Sequence, residues 1–285
     1  MDWLAYADQE ARLTYGRASH KAKGKSLLKF GRSEGLDTTT QTVQAQGSNE
    51  IFPTTDAITT ISSSDAGDTI PVTIEGHTVT GTGTDANFTF VIQSATLAGQ
   101  TEVALTTPLA RVSRVYNAGA TNLAGNVYVY EADTVTAGVP QTAAKIHIQI
   151  ETGQDQSYKA ATTISKVDLF YLTGFAASVN KKTTATVDFE LQVRRVGGVF
   201  RPVKRLTAAS TSQPTITYAF EPFVVVPKNS DIRIVAIAST TAVEANASFQ
   251  AVIAQDVAGK AYWDAIDNGA TEEEALDAQE ETYYD

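Results

Sequence analysis

The stretch 223–237 constrains this chain most. Phe223, Val224, Val225 and Val226 form one apolar run, and Ile232, Arg233, Ile234, Val235, Ala236 and Ile237 form a second, with Pro227-Lys228-Asn229-Ser230-Asp231 between them. Two runs rich in β-branched side chains around five residues of turn chemistry predict strand, turn, strand. We read them as a hairpin, with proline ending the first strand and Asn229 and Asp231 tolerating the dihedrals of the turn. A hairpin alone is not stable in water, so the neighbouring segments must supply strands that cover it.

Those segments alternate as covering strands should. Val187, Phe189, Leu191 and Val193 face one way while Asp188, Glu190, Gln192 and Arg194 face the other, which gives one core side and one wet side. Gly197-Gly198 supplies a tight turn before Val199 to Leu206. Ile216, Tyr218 and Phe220 form another apolar row, Ala245, Ala247, Phe249, Ala251 and Ile253 a late strand of small side chains, and Leu169 to Phe175 an early one. About eight strands result, the number of a jelly-roll-like sandwich. Upstream, the pairs Val72 and Ile74, Phe88, Phe90 and Ile92, and Val103 and Leu105 place apolar groups two apart, and Val127 to Tyr130 and Ile146 to Ile150 continue the pattern. The prediction is an all-β chain of two β-sandwich or jelly-roll-like domains, 37–156 and 157–256. An extended N-terminal arm (1–36) and an acidic, partly helical C-terminal tail (257–285) flank them.

Composition excludes several classes. There is no cysteine, so no disulfide or thiolate metal site braces the fold. Apolar residues at 42% and charged residues at 19% do not describe a disordered chain. The start Met1-Asp2-Trp3-Leu4 lacks a basic and apolar leader, and no apolar run reaches the roughly 20 residues of a membrane helix, which predicts synthesis and folding in a cytoplasm without a membrane. A net charge of −10 disfavours general affinity for nucleic acid, and no specific nucleic acid is expected.

The charge is polarised along the chain. Arg12, Arg17, Lys21, Lys23, Lys25, Lys29 and Arg32 have no acid between them, whereas after Lys260 there are acids, Glu272, Glu273 and Glu274 among them, and no base. Between these lies a basic hairpin with Arg194, Arg195, Arg201, Lys204 and Arg205. We expect these blocks to be contact surfaces: the acidic tail of one copy against the basic hairpin of the next, and Trp3, Leu4 and the segment Lys21 to Arg32 as an anchor. Deletion of 1–36 is then expected to release the chain from its partner with the fold intact.

No arrangement of catalytic groups can be assembled. Gly24-Lys25-Ser26 resembles the end of a P-loop, but Ser19 stands where the first glycine belongs and no strand precedes it. Gly81-Thr82-Gly83-Thr84-Asp85-Ala86 mimics a dinucleotide fingerprint but leads into strand residues, as a hairpin loop does. His20, His77 and His147 are scattered and read as surface or turn histidines, and Asp188 and Glu190 share the wet face of a strand, as alternation alone predicts. We expect no enzyme, no cofactor and no metal.

Four segments carry a resemblance. Lys29-Phe30-Gly31-Arg32, Thr107 to Tyr116, Gly125-Asn126-Val127-Tyr128-Val129-Tyr130, and Val226 to Arg233 together resemble a family of virion structural proteins of tailed phages of aquatic bacteria. The resemblance implies a particle component without an active site. With two arms of opposite charge, it implies a cement or decoration protein on the capsid surface, bound to the major capsid protein and to neighbouring copies of itself, with a trimer as the expected homo-oligomer. A neck or tail component is the alternative. A module binding host glycans through Tyr128 and Tyr130, read as exposed, is another.

Overall fold

Period-two alternation resolves into antiparallel sheets throughout the computed structural model, which describes residues 24–46, 49–180 and 184–255 and isolated positions between 261 and 274. In chain order the strands are β1 (Gly24–Leu36), β2 (Gln41–Thr42), β3 (Ile58–Ser63), β4 (Pro71–Thr80), β5 (Asn87–Thr96), β6 (Val103–Leu109), β7 (Arg111–Asn117), β8 (Val127–Glu131), β9 (Val135–Thr136), β10 (Val139–Pro140), β11 (Ile146–Ile150), β12 (Ala161–Thr163), β13 (Asp168–Asn180), β14 (Thr186–Arg195), β15 (Arg201–Ala209), β16 (Thr215–Val226), β17 (Ser230–Ala238) and β18 (Val243–Gln255). No helix among the described residues is long and apolar enough to cross a membrane.

Two sheets share the larger core. One has the order β1-β18-β13-β16 and the other β12-β17-β14-β15, with β2 also paired to β17. Phe170, Leu172, Phe175 and Phe249 point inward from the first, and Val187, Phe189, Leu191, Ile232 and Ile234 from the second, into one contiguous cluster. The alternation of β14 is as expected, and the β14–β15 hairpin turns at Gly197. Three of the four alanines of β18, at 245, 247 and 251, face this core.

Two expectations change here. The stretch 223–237 does form two strands around a turn, and Asn229 takes a positive φ of 52°. The strands do not pair with each other, however: β16 lies on β13, whereas β17 lies between β12 and β14 in the facing sheet. The turn therefore carries the chain across the core from sheet to sheet, a distance of about 10 Å. Strand and turn chemistry are local, but the choice of pairing partner is not. Second, residues 24–36, expected as extended arm, form an edge strand paired with β18 from Gly24↔Ala254 to Leu36↔Val243. Leu36 is fully buried and Leu27 packs on the same core, so deleting 1–36 would remove part of the sandwich itself. Trp3, Leu4, Lys21 and Lys23 lie outside the described residues.

The smaller core lies between the sheets β11-β8-β3-β6 and β5-β4-β7. Ile58, Ile61, Ile74, Leu109, Val115, Val129 and Ile150 fill it. On β5 the core side is Val91 and Ala95, so the row Phe90 and Ile92 faces outward, 42% and 61% exposed. Tyr128 and Tyr130, read as exposed, are 7% and 0% accessible because β8 is an interior strand.

This second sandwich is inserted between β2 and β12, and its two ends run side by side. Ala45 N–H donates to Tyr158 O and Ala160 N–H to Val43 O, each at 3.0 Å. Gly31 lies directly against this crossing. A Cβ there would overlap the carbonyl oxygen of Val43 and stand 2.5 Å from the nitrogen of Ala160.

Candidate functional site: a buried charged junction

Polar side chains on strands ordinarily mark the wet face of a sheet, but here several are covered by the other sandwich. Asp231, at the start of β17, is fully buried and accepts from both sides. Arg111 of β7, from the inserted sandwich, donates Nε to Oδ1 at 2.9 Å and Nη2 to Oδ2 at 3.2 Å. Arg194 of β14 donates Nε to Oδ2 at 3.0 Å, and the Thr163 hydroxyl donates to Oδ1 at 2.6 Å. Burial alone would raise the carboxyl of Asp231. The Arg111 charge and hydrogen bond, the Arg194 charge and the Thr163 hydroxyl overcome that and hold it below the usual carboxylate range.

The two guanidinium groups are enclosed by aromatic rings. Arg111 stands 4.7 Å from the centroid of Phe88 and 5.1 Å from that of Phe52. Arg194 lies 4.5 Å from Phe52 and 4.6 Å from Phe200, whose ring also faces Arg233 at 3.9 Å. Such stacking suits the weakly hydrated face of arginine, while its edge keeps the carboxylate. Arg111 also donates to the carbonyls of Pro53 and Ala110.

A second cluster lies beside the first. Lys159 is 3% exposed and spends its three donors on Glu50 Oε1 at 2.6 Å, Val112 O at 2.8 Å and His147 O at 2.9 Å. Lys29 of β1 donates to Ser113 O. The carbonyls of Val112 and Ser113 on β7 are thus capped by lysine amines, whereas further along the strand Val115 O accepts from the backbone N–H of Ser157. Asn229 completes the contact, accepting from Phe88 N–H at 3.0 Å and donating to Asn87 at 2.8 Å, while Lys166 N–H donates to Phe88 O at 2.9 Å. A cavity of about 10 Å³, the room of roughly one water, lies among Glu50, Phe52, Arg111 and Lys159. It has no space for a substrate.

Lys29 has a measurable signature. Burial first, and the Lys159 charge second, push its amine down from 10.5 to about 7. In the unfolded chain the amine returns to its ordinary value, so from pH 7 to 10.5 unfolding takes up a proton, and stability rises with pH by up to about 1.4 kcal/mol per unit. Below pH 7 both states are protonated and this contribution is flat at its least favourable. We expect the unfolding free energy of wild type minus that of Lys29→Met to rise between pH 7 and 10 and to stay level between 5 and 7. A level difference across both ranges would mean that the amine stays charged when buried.

The residues singled out from the sequence separate into groups. Lys29, Phe30 and Arg32 belong to β1: Phe30 packs on Tyr158 with centroids 5.4 Å apart, and Arg32 pairs with Glu34 and Glu244. Lys25 is exposed near the start of the same strand. Of the basic hairpin, Arg194 is committed to Asp231, the exposed Arg205 to Glu190, and Lys204 to the face of Tyr218 at 3.7 Å, while Arg195 and Arg201 are exposed. Glu274 is bonded to the N–H and hydroxyl of Thr271, as in a capping box, while Glu272 and Glu273 lie outside the described residues. His77 and His147, read as surface or turn residues, are 2% and 1% exposed. Burial pushes them down to about 3 and about 4. Among the described residues no His, Asp and Glu side chains group as metal ligands.

Glu50, Lys159 and the pairing of Arg111 with Asp231 were not visible in the sequence. Arg111 and Asp231 fall inside two of the four segments singled out in the sequence, Thr107 to Tyr116 and Val226 to Arg233. Three of those four segments meet at this junction.

No protein-family model matches the chain, and no curated protein matches it. Solved structures share a distant likeness. The infectious bursal disease virus VP2 subviral particle is 9% identical over 83% of this chain and 73% of that one, with a TM-score of 0.22. The structure of the Gx strain of the same virus is 10% identical over 83% and 77%, with a TM-score of 0.20. At such TM-scores the likeness carries no argument.

Proposed function

We propose that this chain is a non-enzymatic structural protein of a tailed-phage virion, a cement or decoration protein seated on the major capsid shell beside neighbouring copies of itself. One observation carries the reading. Three of the four segments that resemble virion structural proteins converge on the junction that locks the two sandwiches together. On this reading the resembling segments supply the means of holding the two sandwiches as one body. A shell component needs such a body, because many weak contacts repeated over a lattice add up only if their spacing is fixed. The larger sandwich supports this reading too. Counting its main strands in chain order, the sheets run first-eighth-third-sixth and second-seventh-fourth-fifth. That is the double Greek-key order of a jelly roll, an architecture used by viral shell domains among others.

Electron microscopy of intact particles labelled with an antibody to residues 186–254 tests this. Dense label over the head is the expected result. Label at the neck or tail would replace the proposal with the second reading, a low-copy adaptor or tail component, and unlabelled particles would end both. The anchoring role of the basic arm is tested by removing residues 1–23, which spares β1. We expect the truncated chain to keep its unfolding midpoint and to lose particle binding; full occupancy would place the anchor elsewhere.

A further inference from the structure

A strand at the edge of a sheet exposes unpaired N–H and C=O groups, and folded chains blunt such edges with charge, proline, bulges or brevity. Here every edge of the four larger sheets is blunted but one. β1 carries Lys25, Lys29, Arg32 and Glu34. β16 has Glu221 and Pro222, and β15 has Arg201, Pro202, Lys204 and Arg205. β12 is 3 residues long. β6 contains Pro108, β11 shifts register against β8, and β7 carries Arg111 and Arg114. β5 has none of these devices. Its 10 residues, NFTFVIQSAT, include no charge, proline or glycine, and they pair with β4 from end to end without a register shift.

The direction of the β5 backbone follows from Phe88. Its N–H and C=O point away from β4, to Asn229 Oδ1 and Lys166 N. In an antiparallel ladder alternate residues face the same side, so Phe90, Ile92 and Ser94 turn their backbone groups to the same free edge. Among the described residues nothing bonds them there. The side chains of Phe90 and Ile92 stand out beside these groups, 42% and 61% exposed.

We propose that this edge pairs antiparallel with β5 of a second copy of the chain, about a two-fold axis through Ile92. Ile92 then faces Ile92, and Phe90 of each copy faces Ser94 of the other. The N–H and C=O of all three residues are satisfied in both copies, and the two exposed apolar side chains gain apolar or small neighbours. Charge selects this occupant. The edges β1, β15 and β16 carry charged residues, whereas the uncharged β5 meets its own image without opposing like charges.

The absence of cysteine makes the test direct. Ile92→Cys in the full chain places one thiol on the axis, where directly opposed residues lie about 5.5 Å apart between Cα atoms, within the reach of a disulfide. Mild oxidation is expected to give a covalent dimer. Val225→Cys, at a position 51% exposed on β16, is expected to give only background. Ile92→Lys sets two charges face to face and is expected to weaken self-association in sedimentation by about tenfold, with the circular dichroism and melting temperature unchanged. No cross-link from Ile92→Cys, equal cross-linking from both cysteines, undiminished association of Ile92→Lys, or a wild-type chain that stays monomeric at every concentration reached would each overturn the proposal.

Discussion

Asp231→Ala is expected to lower the stability of the chain by about 4 kcal/mol, the range for a buried charge left without its partner. Asp231 is fully buried and is shared by Arg111, itself 5% exposed, and Arg194. Removing the carboxylate leaves two guanidinium groups facing each other, one buried and the other only 23% exposed, so water screens them poorly. Asp231→Asn keeps the volume and a hydrogen-bonding oxygen yet removes the charge, so it should cost nearly as much. A loss below about 1 kcal/mol for Asp231→Asn would show that hydrogen-bond geometry, rather than charge, holds the site. The same substitution has a second consequence. Arg111 belongs to the inserted sandwich and Asp231 to the larger one, so breaking the pair weakens the coupling between two separate cores. Urea unfolding of the variant, followed by circular dichroism, is expected to resolve into two transitions where the wild type shows one.

Gly31→Ala comes next, with an expected loss of about 3 kcal/mol or more. The added methyl overlaps the carbonyl of Val43 and presses on the nitrogen of Ala160, the two atoms whose hydrogen bond closes the crossing at the base of the insertion. Both neighbours are backbone, so neither can swing aside as a side chain would. The cost combines overpacking with a strained buried hydrogen bond. Gly35 in the same strand is the internal control. A Cβ there meets nothing within 4 Å, so Gly35→Ala should be neutral, or should stabilise slightly by restricting the unfolded chain. Equal effects at 31 and 35, read from melting temperatures, would mean that Gly31 serves only backbone freedom.

Much of the secondary structure was legible because period-two alternation is a local property. β14, β15 and β18 read correctly from side-chain order alone, and so did the turn at Gly197 and the loop around Gly81. Pairing was less legible. Val224 to Val226 and Ile232 to Ile237 look like two arms of one hairpin, yet the turn between them is spent on crossing the core. β1 was hidden for a related reason. Its lysines and glycines describe a poor strand in isolation, but Lys29 finds the carbonyl of Ser113 and Gly31 finds the backbone at 43 and 160, partners far away in sequence. Phe90 and Ile92 went wrong in the opposite sense. Their spacing announces a core face, but Val91 and Ala95 occupy the core, and alternation cannot say which side of a strand is covered when both carry apolar groups. The junction was the least legible part. A buried ion pair and a surface ion pair use the same residues, and only the arrival of a second sandwich over Arg111, Lys159 and Asp231 tells them apart.

The pairing of Gly24 with Ala254 puts both exits of the chain at one end of one ladder. In mechanical terms the direction of a pull then decides how much it can hold. Tension that draws the two tails apart peels β1 from β18 one residue pair at a time. Tension that draws both tails together along the strand axis loads the twelve β18–β13 pairs, Asp168↔Gln255 to Asn180↔Glu244, in parallel. The inserted sandwich, whose own ends meet at Val43 and Ala160, stays off the line of force except where Lys29 of β1 holds Ser113. A body strung this way withstands load when both tails grip the same neighbour and gives way when they grip different ones.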